Sequence, residues 1–160
     1  MPMAPALLLA VLAAAAPIFA RASEDLFGLA PCELCLWQRW PYWVAAGLAL
    51  AGALLPRLRR PLVALAAVAV LASGVVAAFH VGVEQGWWPS PLPGCQAPRS
   101  SGGGSVEDLM RSLAPAPTKP CDAPTFLIPG LPLSMAAMNL IYALGLGGIA
   151  LIWTARGRRQ

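Results

Sequence analysis

Cys32 and Cys35 stand two residues apart, and Arg39 follows four positions after the second cysteine. Thiols at that spacing can close and reopen a disulfide, and their reactivity follows how readily one becomes a thiolate. On a helix turning about 100° per residue, Cys35, Arg39, Cys32 and Trp43 fall within an arc of roughly 80°. A helix that begins at this pair presents its N–H groups and its dipole to the sulfurs, and Arg39 adds positive charge one turn deeper. Both effects make a thiol more acidic. An inert staple gains little here, because so small a loop restrains little chain entropy. The bland alternative for Arg39 is a side chain that snorkels to lipid head groups.

Two more cysteines, Cys95 and Cys121, lie far apart in a later segment. Four cysteines allow three pairings, and spacing alone does not choose; adjacency favours Cys32–Cys35, which leaves Cys95–Cys121. Leu36 follows Cys35, so the haem-attachment signature is absent. A four-cysteine zinc site normally shows two close pairs, and no metal is expected. There is no glycine-rich phosphate loop and no readable Ser/His/Asp set. His80 and Glu84 form an i, i+4 pair, suited to relaying a proton or holding a polar ligand, or simply to forming a polar contact at an interface.

The elements that must carry these residues are apolar. Of 160 residues, 58% are hydrophobic and 11% charged, too little charge to cover a soluble domain. Uncharged runs predict helices over about 3–20, 35–55, 62–80 and 132–154. Four helices apolar on all sides would leave a soluble protein little polar surface. No Lys or Arg precedes the first run, so a retained span is favoured over a cleaved export signal. The net charge of +4 does not indicate nucleic acid, because the basic residues cluster beside apolar runs.

Arg57, Arg59 and Arg60 occupy the turn between the second and third runs, and Arg156, Arg158 and Arg159 follow the fourth. Short basic loops stay cytoplasmic. Both termini are therefore expected in the cytoplasm, with segments 21–34 and 84–130 on the other side. All four cysteines then lie where disulfides persist. The second outer segment is rich in Pro and Gly and cannot build its own core. Within it, residues 105–114 have the cap and spacing of a short amphipathic helix on the membrane surface. Trp87 and Trp88 suit interfacial anchors. In the last run Asn139 is the lone strongly polar residue, and Gly145, Gly147 and Gly148 suit close helix packing; all are read as structural.

The stretches PCELCLWQRWPYW, FHVGVEQGWWPSPLPGC and CDAPTFLIPGLPLSMAAMNL, in this order, resemble the DsbB family of bacterial inner-membrane disulfide-generating proteins. The likeness runs from Pro31 to about Leu140 and includes an H-x-G-V-E-x-G pattern beginning at His80. The resemblance implies an all-α membrane protein: a single domain over 1–160, an antiparallel four-helix transmembrane bundle with two non-cytoplasmic loops, built around ubiquinone or menaquinone. It implies that Cys32 and Cys35 hand electrons to the quinone and that Arg39 supports quinone binding. His80 joins Arg39 and Cys35 as a candidate cofactor-binding residue. It further implies that Cys95 and Cys121 exchange with DsbA, a soluble periplasmic thioredoxin-fold oxidase. Cys95 would form the mixed disulfide, and Cys121 would pair transiently with Cys32. Thr125 and Phe126 depart from the family, many of whose members carry a tryptophan after the fourth cysteine. The approach PGLPLSMA to the last run is also unusually rich in proline. Two other readings are a vitamin K epoxide reductase-like quinone reductase and a non-enzymatic membrane scaffold with structural disulfides. In the first of these the CxxC usually lies near the end of the bundle's sequence, unlike here.

Overall fold

The computed structural model describes residues 2–92, 95, 119–128 and 130–156. Among these the chain is helical, and its one β feature is an isolated antiparallel bridge between Phe126 and Ser134. The amphipathic helix expected over 105–114 lies outside the described residues, as do Arg158 and Arg159.

Helix α1 spans Ala4–Phe27, with Pro5 in its first turn, where a missing N–H costs nothing, and Gly28 as a left-handed C-cap at φ 64°. It therefore runs beyond the apolar stretch that ended at Ala20. Arg21 supports the extension by pairing with Glu24 at 3.7 Å and Asp25 at 3.6 Å, one turn along.

The predicted helix through Cys35 is split into two. Helix α2 spans Glu33–Trp37 and α3 spans Arg39–Leu54, with Gln38 as the turn between them. Pro41 explains the break: it has no N–H for the Trp37 carbonyl, and its ring crowds that carbonyl. The arc drawn through Cys32, Cys35, Arg39 and Trp43 is divided accordingly, and Trp43 ends up 47% exposed. At the far end of α3, Arg59 donates to the carbonyls of Gly52 (3.0 Å) and Ala53 (3.1 Å), satisfying groups that a helix end leaves open.

Helix α4 spans Arg59–Glu84 and α5 spans Met135–Arg156. Ser134 starts α5 by accepting from the Ala137 N–H at 3.2 Å. Helix α4 is central, packed on α3 to one side and α5 to the other, and α1 lies on α3. The interior is built from small residues: Ala6, Ala13, Ala45, Ala49, Ala53, Ala66, Ala67, Ala143 and Ala150 are buried. Large apolar side chains such as Leu8, Val11, Trp40, Val75 and Ile149 point outward. Small inside and large outside is the arrangement of helices packed in lipid, where close backbone approach replaces the hydrophobic drive. Gly147 shows this directly, since a Cβ there would press on Leu71; Gly145 and Gly148 face open space, contrary to the packing expected of them.

Among the described residues, three helices, α1, α4 and α5, are long and apolar enough to cross a membrane. At 16 residues, α3 is shorter.

Candidate redox site

All four cysteines converge at one end of α4. Cys95 and Cys121 are joined by a disulfide, one of the pairings open to the sequence, while Cys32 and Cys35 are free thiols. Cys32, Leu34, Val83, Cys95 and Cys121 form one buried apolar cluster, with Cys35, Val76, Phe79 and Leu92 against it. Main-chain bonds hold the outer segment in place: the Lys119 N–H donates to the Pro31 carbonyl and the Cys121 N–H to the Cys95 carbonyl, each at 3.2 Å. The Cys32 and Cys121 sulfurs and a ring nitrogen of His80 lie within 4.8 Å of one another. This is metal-ligand spacing, but the Cys121 sulfur is committed to a disulfide and has no thiolate to offer.

Cys32 is the N-cap of α2, and its Sγ accepts the Cys35 N–H at 3.1 Å. The hydrogen bond shared by the two thiols separates their acidities. Donation from Cys32, then its backbone N–H and the nearby charges of Arg39 and Lys119, hold Cys35 below the ordinary thiol range against the opposing effect of burial. Cys32 is pushed far up by the same hydrogen bond, by burial and by the neighbouring Cys35 charge. The sulfur held low is thus Cys35, and the largest source of that shift is the partner thiol rather than Arg39.

Cys35 faces a cavity of about 570 Å³ between α1, the α2–α3 junction and α5. Its walls are mostly apolar, including Ala15, Ala16, Phe19, Leu127, Met135 and Met138, and its polar groups include Cys35, Gln38, Arg39, Tyr42 and Asn139. Volume and lining suit a flat lipophilic ligand with a few polar contacts. Arg39 pairs with Glu24 of α1, and both side chains are mostly buried, so Arg39 does not snorkel. Its Nε is buried with no hydrogen-bond partner. A quinone would fit: its ring on the apolar walls, a carbonyl available to the orphan Nε, and Cys35 at the same wall.

His80 stands behind Cys32, away from the cavity wall, with Nε2 at 3.5 Å from Cys32 Sγ and at 3.9 Å from Glu84 Oε1. Glu84 accepts from the Ser134 hydroxyl at 2.5 Å, which ties the His80–Glu84 pair to the start of α5. Glu24, Gln38 and Tyr42 join the site without being singled out by residue type or spacing in the sequence, and Asn139, structural by its sequence context, lines the cavity as well. The i+3 and i+4 spacing from Arg21 was a usable signal for Glu24, and Gln38 lies between Cys35 and Arg39 in the stretch already singled out. Trp88 is also more than an anchor: its indole lies over Gly82, stacks on Phe79 at 5.6 Å and donates to the Phe79 carbonyl at 3.0 Å.

The family model for disulfide bond formation protein DsbB matches residues 3–153. The chain is 27% identical over 120 residues to the uncharacterized protein RP370 of Rickettsia prowazekii (strain Madrid E), which covers 74% of this chain and 68% of that protein. No solved structure matches it significantly. The chain belongs to the DsbB family of membrane disulfide oxidoreductases, whose members are quinone-linked.

Proposed function

We propose that this protein reoxidises a DsbA-like periplasmic dithiol oxidase and passes the electron pair to ubiquinone or menaquinone in the bacterial inner membrane. In this reading residues 1–160 form one multi-pass domain with both termini cytoplasmic. Helices α1, α3, α4 and α5 are its four antiparallel spans. Helix α3 covers about 24 Å at 1.5 Å per residue, short of a hydrocarbon core of about 30 Å. The exposed Trp40 near its start suits the interface at that end.

The partner's thiolate attacks Cys95; the Cys95–Cys121 bond breaks and its electron pair stays on Cys121. Cys121 attacks Cys32 of the closed Cys32–Cys35 pair, and the electron pair leaves on Cys35; the partner's second thiolate attacks its own sulfur in the mixed disulfide, which closes the partner's disulfide and frees Cys95 as a thiolate. Cys35 is the better leaving sulfur because, with Cys32 held in a disulfide and unable to donate its thiol proton, the Cys32 backbone N–H and the charges of Arg39 and Lys119 still favour the Cys35 thiolate. Arg39, oriented by Glu24, holds positive charge at the cavity wall that Cys35 faces. When bound, the quinone supplies the two-electron sink that a strong dithiol oxidant requires. Cys35 and Arg39 would hold it, while His80, placed against Cys32, acts on the sulfur side of the site.

The observation that carries this reading is the approach of the Cys32 and Cys121 sulfurs to within 4.8 Å, while Cys35 faces the apolar cavity. Membranes carrying the protein, given reduced DsbA-like partner and a short-chain ubiquinone, should lose partner thiols and quinone absorbance together. Cys35→Ala should abolish both. Turnover that persists in Cys35→Ala ends the proposal.

A further inference from the structure

His80 touches Cys32, and which of its nitrogens carries the proton decides what it can do there. The surrounding hydrogen bonds settle the question from a fixed point. The Ser73 hydroxyl donates its single proton to the Gln38 backbone carbonyl at 2.8 Å, and a carbonyl can only accept. Ser73 Oγ must therefore accept from Asn139 at 3.2 Å, which requires Nδ2 on that side. Asn139 Oδ1 then faces Tyr42, whose hydroxyl donates to it at 2.7 Å. The other Nδ2 proton goes to Gln38 Oε1 at 2.6 Å. The Gln38 amide nitrogen is left to donate to His80 Nδ1 at 2.9 Å. Nδ1 is thus an acceptor, and the neutral ring carries its proton on Nε2. That nitrogen faces Cys32 Sγ and the Glu84 carboxylate, both of which can accept, and the ring also donates to the Cys121 backbone carbonyl, which leaves the N–H to Cys32 when Cys121 moves during exchange. His80, Gln38, Ser73 and Tyr42 are all buried, so little water competes with this order.

We infer that Asn139 and Gln38 are positioning residues that lock His80 as the Nε2–H tautomer, and that His80 uses this N–H to receive negative charge on Cys32 during exchange between the two cysteine pairs. The inference rests on the redox reading above. The step concerned is the attack of the Cys95 thiolate on the Cys121 sulfur of a Cys32–Cys121 disulfide. The Cys95–Cys121 bond forms, the Cys32–Cys121 bond breaks, and the electron pair departs on Cys32 Sγ. Two donors meet it there, the Cys35 N–H at 3.1 Å and His80 Nε2–H at 3.5 Å. The structure shows the product side of this step, with Cys95–Cys121 closed and Cys32 free. A sulfur buried to zero exposure cannot recruit water for the same purpose.

The test exploits the single histidine of the chain. In the 15N spectrum of histidine-labelled protein in detergent, Nδ1 should be pyridine-type and Nε2 pyrrole-type. Asn139→Asp, which offers acceptors only, should turn the Gln38 amide over and exchange the two signatures without touching the ring. In a Cys35→Ala background, acid-quenched timing of the conversion of Cys32–Cys121 to Cys95–Cys121 should slow roughly tenfold or more in His80→Phe and in Asn139→Asp. An Nδ1–H ring or an imidazolium in the wild-type sequence overturns the inference, as does unchanged exchange in both variants. Failure of the redox reading is distinguishable, because the Cys32–Cys121 bond would then not form at all while the tautomer stays as assigned.

Discussion

The sulfurs of Cys32 and Cys121 lie within 4.8 Å of each other, although one begins a helix and the other belongs to the segment leading into the last span. Neither is bonded to the other: Cys121 is paired with Cys95 and Cys32 is free. A small rearrangement would suffice to exchange partners. If both competing cysteines are removed, as in Cys35→Ala/Cys95→Ala, the two should oxidise to a Cys32–Cys121 disulfide. Peptide mapping under non-reducing conditions reads this directly. Two persistent free thiols under mild oxidation would contradict the geometry.

Cys35 should titrate below an ordinary thiol and Cys32 above it. With Cys95–Cys121 closed, alkylation of Cys35 should therefore already proceed at pH values where a free cysteine is mostly protonated, while Cys32 stays unlabelled. The largest cause is the hydrogen bond from Cys32, so Cys32→Ala should move the Cys35 profile upward and slow its labelling at neutral pH. Cys32→Ser, which keeps a donor, should restore part of the shift. A Cys35 profile unmoved by Cys32→Ala would assign the acidity to the helix terminus and Arg39 alone.

Arg39 and Glu24 make a mostly buried ion pair between α3 and α1. Removing one partner leaves the other charge uncompensated, so Glu24→Gln should cost roughly 3 kcal/mol, measured as denaturant unfolding in detergent. Asp25→Asn removes an exposed partner of Arg21 and should change little. Arg39→His should raise the apparent KM for quinone while exchange between the cysteine pairs continues. Equal effects of Glu24→Gln and Asp25→Asn would deny the buried pair its role.

Gly82 lies under the Trp88 indole, where a Cβ would clash. Gly82→Val should displace the ring and lower stability by about 1–3 kcal/mol. Gly145, which faces open space in α5, should tolerate alanine with a gain of roughly 0.5–1 kcal/mol. Thermal unfolding of the two variants side by side separates a packing glycine from a permissive one.

The sequence made the long apolar helices and the family likeness legible, because each rests on local composition or on close spacing. Uncharged runs mark helices without knowledge of neighbours, and a CxxC at a helix start carries its own electrostatics. What escaped depended on meetings between distant elements. In the sequence Glu24 falls in the segment between apolar runs, and its pairing with Arg39 exists only once α1 lies on α3. The break at Gln38 follows from Pro41, which was in view, yet its effect of turning the Gln38 side chain toward His80 and Asn139 needed α4 and α5 in place. Asn139 stands in the sequence as the lone strongly polar residue of its helix and reads as structural, since its partners Gln38, Ser73 and Tyr42 all lie outside that helix.

The central claim is that electrons cross from the outer cysteine pair to the inner one through Cys121 and Cys32. Membranes carrying the protein can be mixed with reduced DsbA-like partner, quenched in acid at millisecond intervals, and their disulfides mapped. The account predicts that a Cys32–Cys121 bond rises and decays within one turnover while Cys35 becomes free. A Cys32–Cys35 bond that stays closed while the partner is oxidised would contradict it.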